Sequence, residues 1–91
     1  MLKTDAYISE ARNLYRRFQT DGTRTALIQS MRKVNAAMWA LRMDEHSTAY
    51  NATCGRVYHY ALAARQRELN TLYDTVARHL TPCEWVKASH R

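Results

Sequence analysis

The sequence predicts an all-α protein, a small antiparallel three-helix bundle with a short C-terminal fourth helix. Three observations carry this. Only two glycines and one proline occur in 91 residues, at Gly22, Gly55 and Pro82. Between these breaks apolar side chains recur at three- and four-residue intervals, the spacing of one helix face. No stretch shows the two-residue alternation of a half-buried strand. Residues 1–91 read as a single domain, and 46% hydrophobic with 24% charged residues describes a globular chain.

The first helix is expected after Thr4 and Asp5, which can cap it. Along it Tyr7, Ala11, Leu14, Tyr15 and Phe18 share one face, with Arg12, Arg16 and Gln19 on another. Asp21-Gly22 ends it, because glycine enters the left-handed region without steric cost. Thr23 or Thr25 then starts the second helix, where Leu27, Met31, Val34, Met38 and Leu41 alternate four- and three-residue steps. Such a seam packs lengthwise, within the chain or against a second copy in a homodimer. Asp44 to Ser47 interrupts the pattern with polar residues and reads as a short loop, with Ser47 or Asp44 as the next cap.

The third helix is expected to run through Gly55. Tyr50, Cys54, Val57, Tyr58, Ala61 and Leu62 lead in phase to Leu69, Leu72, Tyr73, Val76 and Leu80. An interior glycine costs about 1 kcal/mol against alanine, so Gly55 marks either a close contact or a break. At the far end Thr81-Pro82-Cys83-Glu84 signals a helix start. Threonine caps, proline takes the first position where its missing N–H is harmless, and Glu84 completes a capping box. Trp85 and Val86 then fold the last helix back onto the bundle.

The formal net charge is +6, and lysine occurs only at Lys3, Lys33 and Lys87, so the basic residues are mostly arginine. Arginine pairs bidentately with carboxylates and phosphates and stacks on rings, which lysine does not. Two partner classes fit this balance, nucleic acid or an acidic protein surface. No apolar run is long enough for a bilayer, and Lys3, Asp5, Glu10 and Arg12 interrupt the N-terminal stretch. The expectation is a cytoplasmic protein with no membrane partner, whose Cys54 and Cys83 are reduced thiols. Asn51-Ala52-Thr53 matches a glycosylation acceptor, but no secretory signal accompanies it.

No enzyme is expected. The chain carries no glycine-rich phosphate loop and no local signature of a nucleophile with its base. His79 with Cys83, extended by His90, lacks the second pair that a structural zinc site needs, so neither a metal nor a cofactor is predicted. Cys54 reads as a core thiol and His79 as a helix-end residue.

Two surfaces read as binding faces. On the second helix Ile28, Arg32, Asn35, Trp39 and Arg42 form a stripe turned away from the seam, and tryptophan and arginine dominate binding hot spots. Arg32, Asn35, Trp39 and Arg42 are therefore the candidate contacts for a protein partner. On the first helix Arg12 and Arg16 stand four apart with Arg17 beside them, like charges that repel mildly on one face. These three are the candidate contacts for nucleic acid or an acidic partner. On the third helix Arg56, Tyr60, Arg67, Asn70 and Asp74 form an outward stripe of mixed sign, unsuited to tracking a phosphate backbone.

Toward the two ends of the chain stand Arg16-Arg17-Phe18-Gln19-Thr20, Glu68-Leu69 with Leu72-Tyr73-Asp74, and Pro82 with Trp85. In these pieces the chain resembles the Hha/YmoA family of small helical modulators of bacterial nucleoid proteins. The resemblance implies an all-helical protein that binds the nucleoid protein H-NS and alters gene silencing. The stretch from Ser30 to Tyr60 is longer than in that family, and Ala63-Ala64-Arg65 puts arginine where the family carries an acidic partner contact. Size, charge and the two faces lead to one expectation: a non-enzymatic regulator or inhibitor binding protein within bacterial nucleic-acid machinery. It is a nucleoid or transcription regulator, or a phage-encoded inhibitor of a host defence complex such as an anti-CRISPR. Direct DNA or RNA binding through the arginine face is the alternative.

Overall fold

The structure, a computed structural model, describes residues 3–45 and 55–89. The described residues form four helices: α1 (Lys3–Asp21), α2 (Arg24–Glu45), α3 (Gly55–Ala77) and α4 (Pro82–Ser89). Cross-helix pairs fix their directions. Ser30 reaches Ala11 and Lys33 reaches Glu10, so α2 runs antiparallel to α1. Asp5 meets Arg65, Arg12 meets Glu68 and Tyr15 meets His79, so α3 runs parallel to α1 and antiparallel to α2. The short α4 lies along α2 in the same direction, since Arg24 holds Glu84 and Arg32 holds Lys87.

The α1–α2 turn is made as its residues dictate. Gly22 has a φ of 73°, and its N–H donates to Phe18 O at 2.8 Å, closing the helix on a left-handed residue. The Asp21 carboxylate accepts from Thr23 N at 3.0 Å and from the Thr23 hydroxyl, and these bonds hold its pKa below the ordinary carboxylate value. Thr23 is the residue before α2, as expected, but its hydroxyl is turned back to Asp21.

The buried apolar side chains among the described residues form a single cluster. From α2 it takes Leu27, Met31, Val34 and Leu41, each at most 1% exposed, so the seam packs within the chain. Met38 is only partly buried. Leu62, Leu69, Leu72 and Val76 come from α3 and Ala88 from α4. From α1 the core takes Ile8 and Ala11, whereas Tyr7, Tyr15 and Phe18 pack against its margin. Each fully buried Leu contributes about 1.5–3 kcal/mol. The α1–α2 contact is close because small residues make it. Ser30 is fully buried, and its hydroxyl donates to Ala11 O at 2.7 Å.

Several expected boundaries shift. Thr4 and Asp5 lie inside the first turn of α1; Thr4 is fully buried and Asp5 pairs with Arg65, so tertiary contacts take both side chains. Asp44 and Glu45 continue α2, since polar residues stop a helix only where the backbone has another partner. Ser47, the glycosylation triplet, Cys54 and the passage from Tyr50 into Gly55 lie outside the described residues. The α4 start is as expected. Thr81 N donates to Glu84 Oε1 at 2.9 Å, and Glu84 N donates to Thr81 Oγ1 at 3.3 Å, a reciprocal capping box. No described helix is long and apolar enough to cross a membrane.

Candidate functional site

The α2 stripe opens onto a groove. Arg32, Asn35, Trp39 and Arg42 all line it, in an open space of about 840 Å³. One wall is the start of α1, with Lys3 and Tyr7; the other is the end of α4, with Ala88 and Ser89. The floor is α2 itself, where Ala36, Met38, Ala40 and Met43 join the stripe. Trp39 is 53% exposed and Met43 71%, so large apolar side chains stand open to solvent at the rim. The Arg42 guanidinium carbon lies 5.6 Å from the Trp39 ring centroid, a cation–π contact that steadies both side chains.

Arg32 has a different task within the same groove. Its Nε and Nη2 donate to the Lys87 carbonyl at 3.2 and 2.9 Å. The last carbonyls of a helix have no partner inside it, so this contact caps α4 and fixes the groove's second wall. Arg32 is thus a positioning residue as well as a lining one.

The α1 arginines are all exposed, and two of them face carboxylates of the same chain. Arg12 pairs with Glu68 of α3, and Arg17 approaches Asp21 at 3.8 Å across one helical turn. Arg16 is exposed and makes no ion pair among the described residues. On α3, Tyr60, Arg67, Asn70 and Asp74 are exposed and form the mixed outward stripe; the Arg56 side chain is outside the described set. Arg65, which departs from the Hha/YmoA pattern, is turned inward to Asp5, with Nε and Nη2 at 2.6 and 3.0 Å from its oxygens.

Five carboxylates are paired along the bundle. Asp5, Glu10, Asp21, Glu68 and Glu84 each meet an arginine or lysine of the same chain. The tightest knot joins three elements: Arg24 Nε reaches Glu84 Oε2 at 2.9 Å, and Arg24 Nη2 reaches both Glu84 Oε1 and the His79 carbonyl, the latter at 2.7 Å. These bonds, with those from Thr81, hold the Glu84 carboxyl down from an ordinary 4.5 to about 2. The groove by contrast carries Lys3, Arg32 and Arg42, and no carboxylate is among its described lining residues.

Nothing in the described residues assembles a metal site, since no three His, Cys, Asp or Glu side chains converge. His79 packs on Tyr15 and Phe18, with ring centroids 5.9 and 5.3 Å away, and its Nε2 lies 3.2 Å from the Tyr15 hydroxyl. Cys83 is an exposed thiol at the start of α4.

Sequence reasoning missed Lys3, Tyr7, Ala88, Ser89 and Met43. Met43 had a signal, four residues after Trp39 on the same face. The other four come from α1 and α4, and only the packing of those helices brings them to α2. Comparison with known protein families, curated proteins and solved structures finds no match to this chain.

Proposed function

We propose that this chain is a small non-enzymatic regulator or inhibitor that works by binding a protein through the α2 groove. Its setting is bacterial nucleic-acid machinery in the cytoplasm of a bacterium or a phage-infected host. There it acts as a nucleoid or transcription regulator or as an inhibitor of a defence complex. One observation carries the protein-binding part: Trp39 and Met43 stand exposed on the rim of a groove that Asn35 and Arg42 also line. Exposed aromatic and arginine side chains around a concave apolar surface are the makings of a hot spot. The setting follows from the basic charge and the chain's small helical form.

The test is capture of partners from a bacterial lysate, with and without nuclease, using the intact chain and Trp39→Ala. A single protein retained after nuclease and lost with Trp39→Ala, at unchanged helical content, is the expected result. Equal capture by Trp39→Ala refutes the role of the groove. Loss of all capture on nuclease treatment favours direct nucleic-acid binding through Arg12, Arg16 and Arg17. That alternative draws less support, because Glu68 and Asp21 already face two of the three arginines. It requires affinity that falls steeply with salt.

A further inference from the structure

The groove continues the seat of α4. Along α2 the short helix is held from Arg24, through Glu84, to Arg32, through the Lys87 carbonyl. Trp85 and Ala88 are the apolar side chains it sets against the bundle. Past Ser89 the α2 face runs on from Arg32 to Met43, about 17 Å of helix at ~1.5 Å per residue. That length matches a helix of about a dozen residues lying in line with α4.

Among the described residues the charge on this stretch has one sign. Lys3, Arg32 and Arg42 line it without a carboxylate, whereas elsewhere on the bundle Arg12, Lys33 and Arg65 pair with Glu68, Glu10 and Asp5. On the far side of Arg32 a second hollow of about 720 Å³ shares Tyr7, Arg32 and Ala36, and there Glu10 and its partner Lys33 restore mixed charge. The uniformly cationic stretch therefore ends where the second hollow begins. Its surface is otherwise small or pliable: Ala36 and Ala40 leave room, and Met38 and Met43 adapt to an incoming side chain.

We infer that the groove seats an acidic amphipathic helix of a partner protein. Its carboxylates meet Lys3, Arg32 and Arg42, and its apolar side chains enter between Trp39 and Met43. This rests on the protein-binding reading and adds the chemistry of what is bound. Complementary charge supplies steering and register, and the apolar contact supplies most of the affinity. Phosphates are drawn to the same cations, but Arg42 lies over the Trp39 ring where a base would stack, and alanine and methionine present methyl groups to their neighbour.

The experiment is selection of the full chain against a displayed library of random peptides about a dozen residues long, followed by affinity measurement on a synthetic copy of the leading peptide. Enriched peptides should carry Asp or Glu spaced by three and four residues around Leu, Met or Phe. Trp39→Ala should weaken the leading peptide roughly thirtyfold, and Arg42→Glu at least about tenfold. A copy with Lys in place of Glu should regain affinity for Arg42→Glu. Both substituted residues are exposed, and circular dichroism checks that the helices persist; if either variant loses helicity, Met43→Ala and Lys3→Glu replace them.

Peptides that need Trp39 but show no acidic bias overturn the inference and leave the protein-binding reading standing. Peptides that bind Trp39→Ala as well as the parent chain overturn both. No enrichment of any peptide also overturns the inference, as does an oligonucleotide bound with the same dependence on Arg42.

Discussion

Removing the Glu84 side chain should release α4 while the rest of the bundle stays folded. In Glu84→Ala two interactions go at once. The capping bond from Thr81 N, 2.9 Å long, is worth about 1 kcal/mol. The charge-assisted pair with Arg24 goes as well, although solvent screens an arginine side chain that is 47% exposed. Arg24 keeps its bond to the His79 carbonyl, so the end of α3 is still held. The loss of the cap, about 1 kcal/mol, falls on an eight-residue helix anchored chiefly by Trp85 against Tyr73 and by buried Ala88. Opening is therefore local. Hydrogen exchange followed by mass spectrometry should show at least about fivefold less protection at the Trp85 to Ser89 amides, with α1 and α2 little changed.

The same pair makes a pH prediction. Glu84 sits at about 2 in the folded chain against 4.5 ordinarily, so below pH 4.5 the unfolded chain binds the extra proton. Its stabilisation is present above about pH 4.5 and is lost as the pH falls toward 2. Asp21, also held low, adds loss in the same direction. The parent chain's denaturation midpoint should fall over this range, and that of Glu84→Ala should fall less. Unchanged α4 exchange in the variant, or parallel pH profiles, would refute the reasoning.

Three further outcomes follow from the packing. Gly22→Ala, at a φ of 73° with open space around the added methyl, should cost about 1 kcal/mol in urea denaturation through backbone strain alone. Leu69→Ala, at a fully buried position, should cost about 2–5 kcal/mol and leave little folded protein at physiological temperature. Ser30→Ala should cost about 1 kcal/mol by loss of the buried bond to Ala11 O, again read by denaturation, and a neutral result would show that the carbonyl's own helix bond suffices.

How much of this the sequence discloses depends on which interactions set each feature. Helix identities and the α4 start follow from period and capping chemistry, which act within four residues. The α2 seam is legible because its Leu, Met and Val positions alternate in four- and three-residue steps. On α1 the same reasoning picks the aromatics and passes over Ile8, because large rings span the edge of the buried face while a smaller side chain fills its centre. Ser30 and Thr4 are invisible to a hydrophobic pattern, yet both are fully buried. The groove is half legible. Its floor is one helical stripe, but its walls belong to helices far away in sequence, and only tertiary packing sets their distance.

Arginine usage shows that composition alone does not say which charge is left to face a partner. A net charge of +6 with few lysines suggests a surface prepared for phosphate. Much of that arginine instead ties the chain to itself. Arg24 joins the end of α3 to the start of α4, Arg32 caps α4, and Arg65 grips Asp5 in a two-pronged pair that links α3 to α1. A planar fork with five donors can hold two acceptors at once, which suits joining short helices whose terminal carbonyls lack partners. The charge that matters for recognition is what stays uncompensated after these ties. Lys3, Arg32 and Arg42 lie together around an exposed tryptophan, and the α1 arginines are partly neutralised by Glu68 and Asp21. The balance of observations therefore moves from a basic protein seeking nucleic acid toward a basic groove suited to an acidic protein.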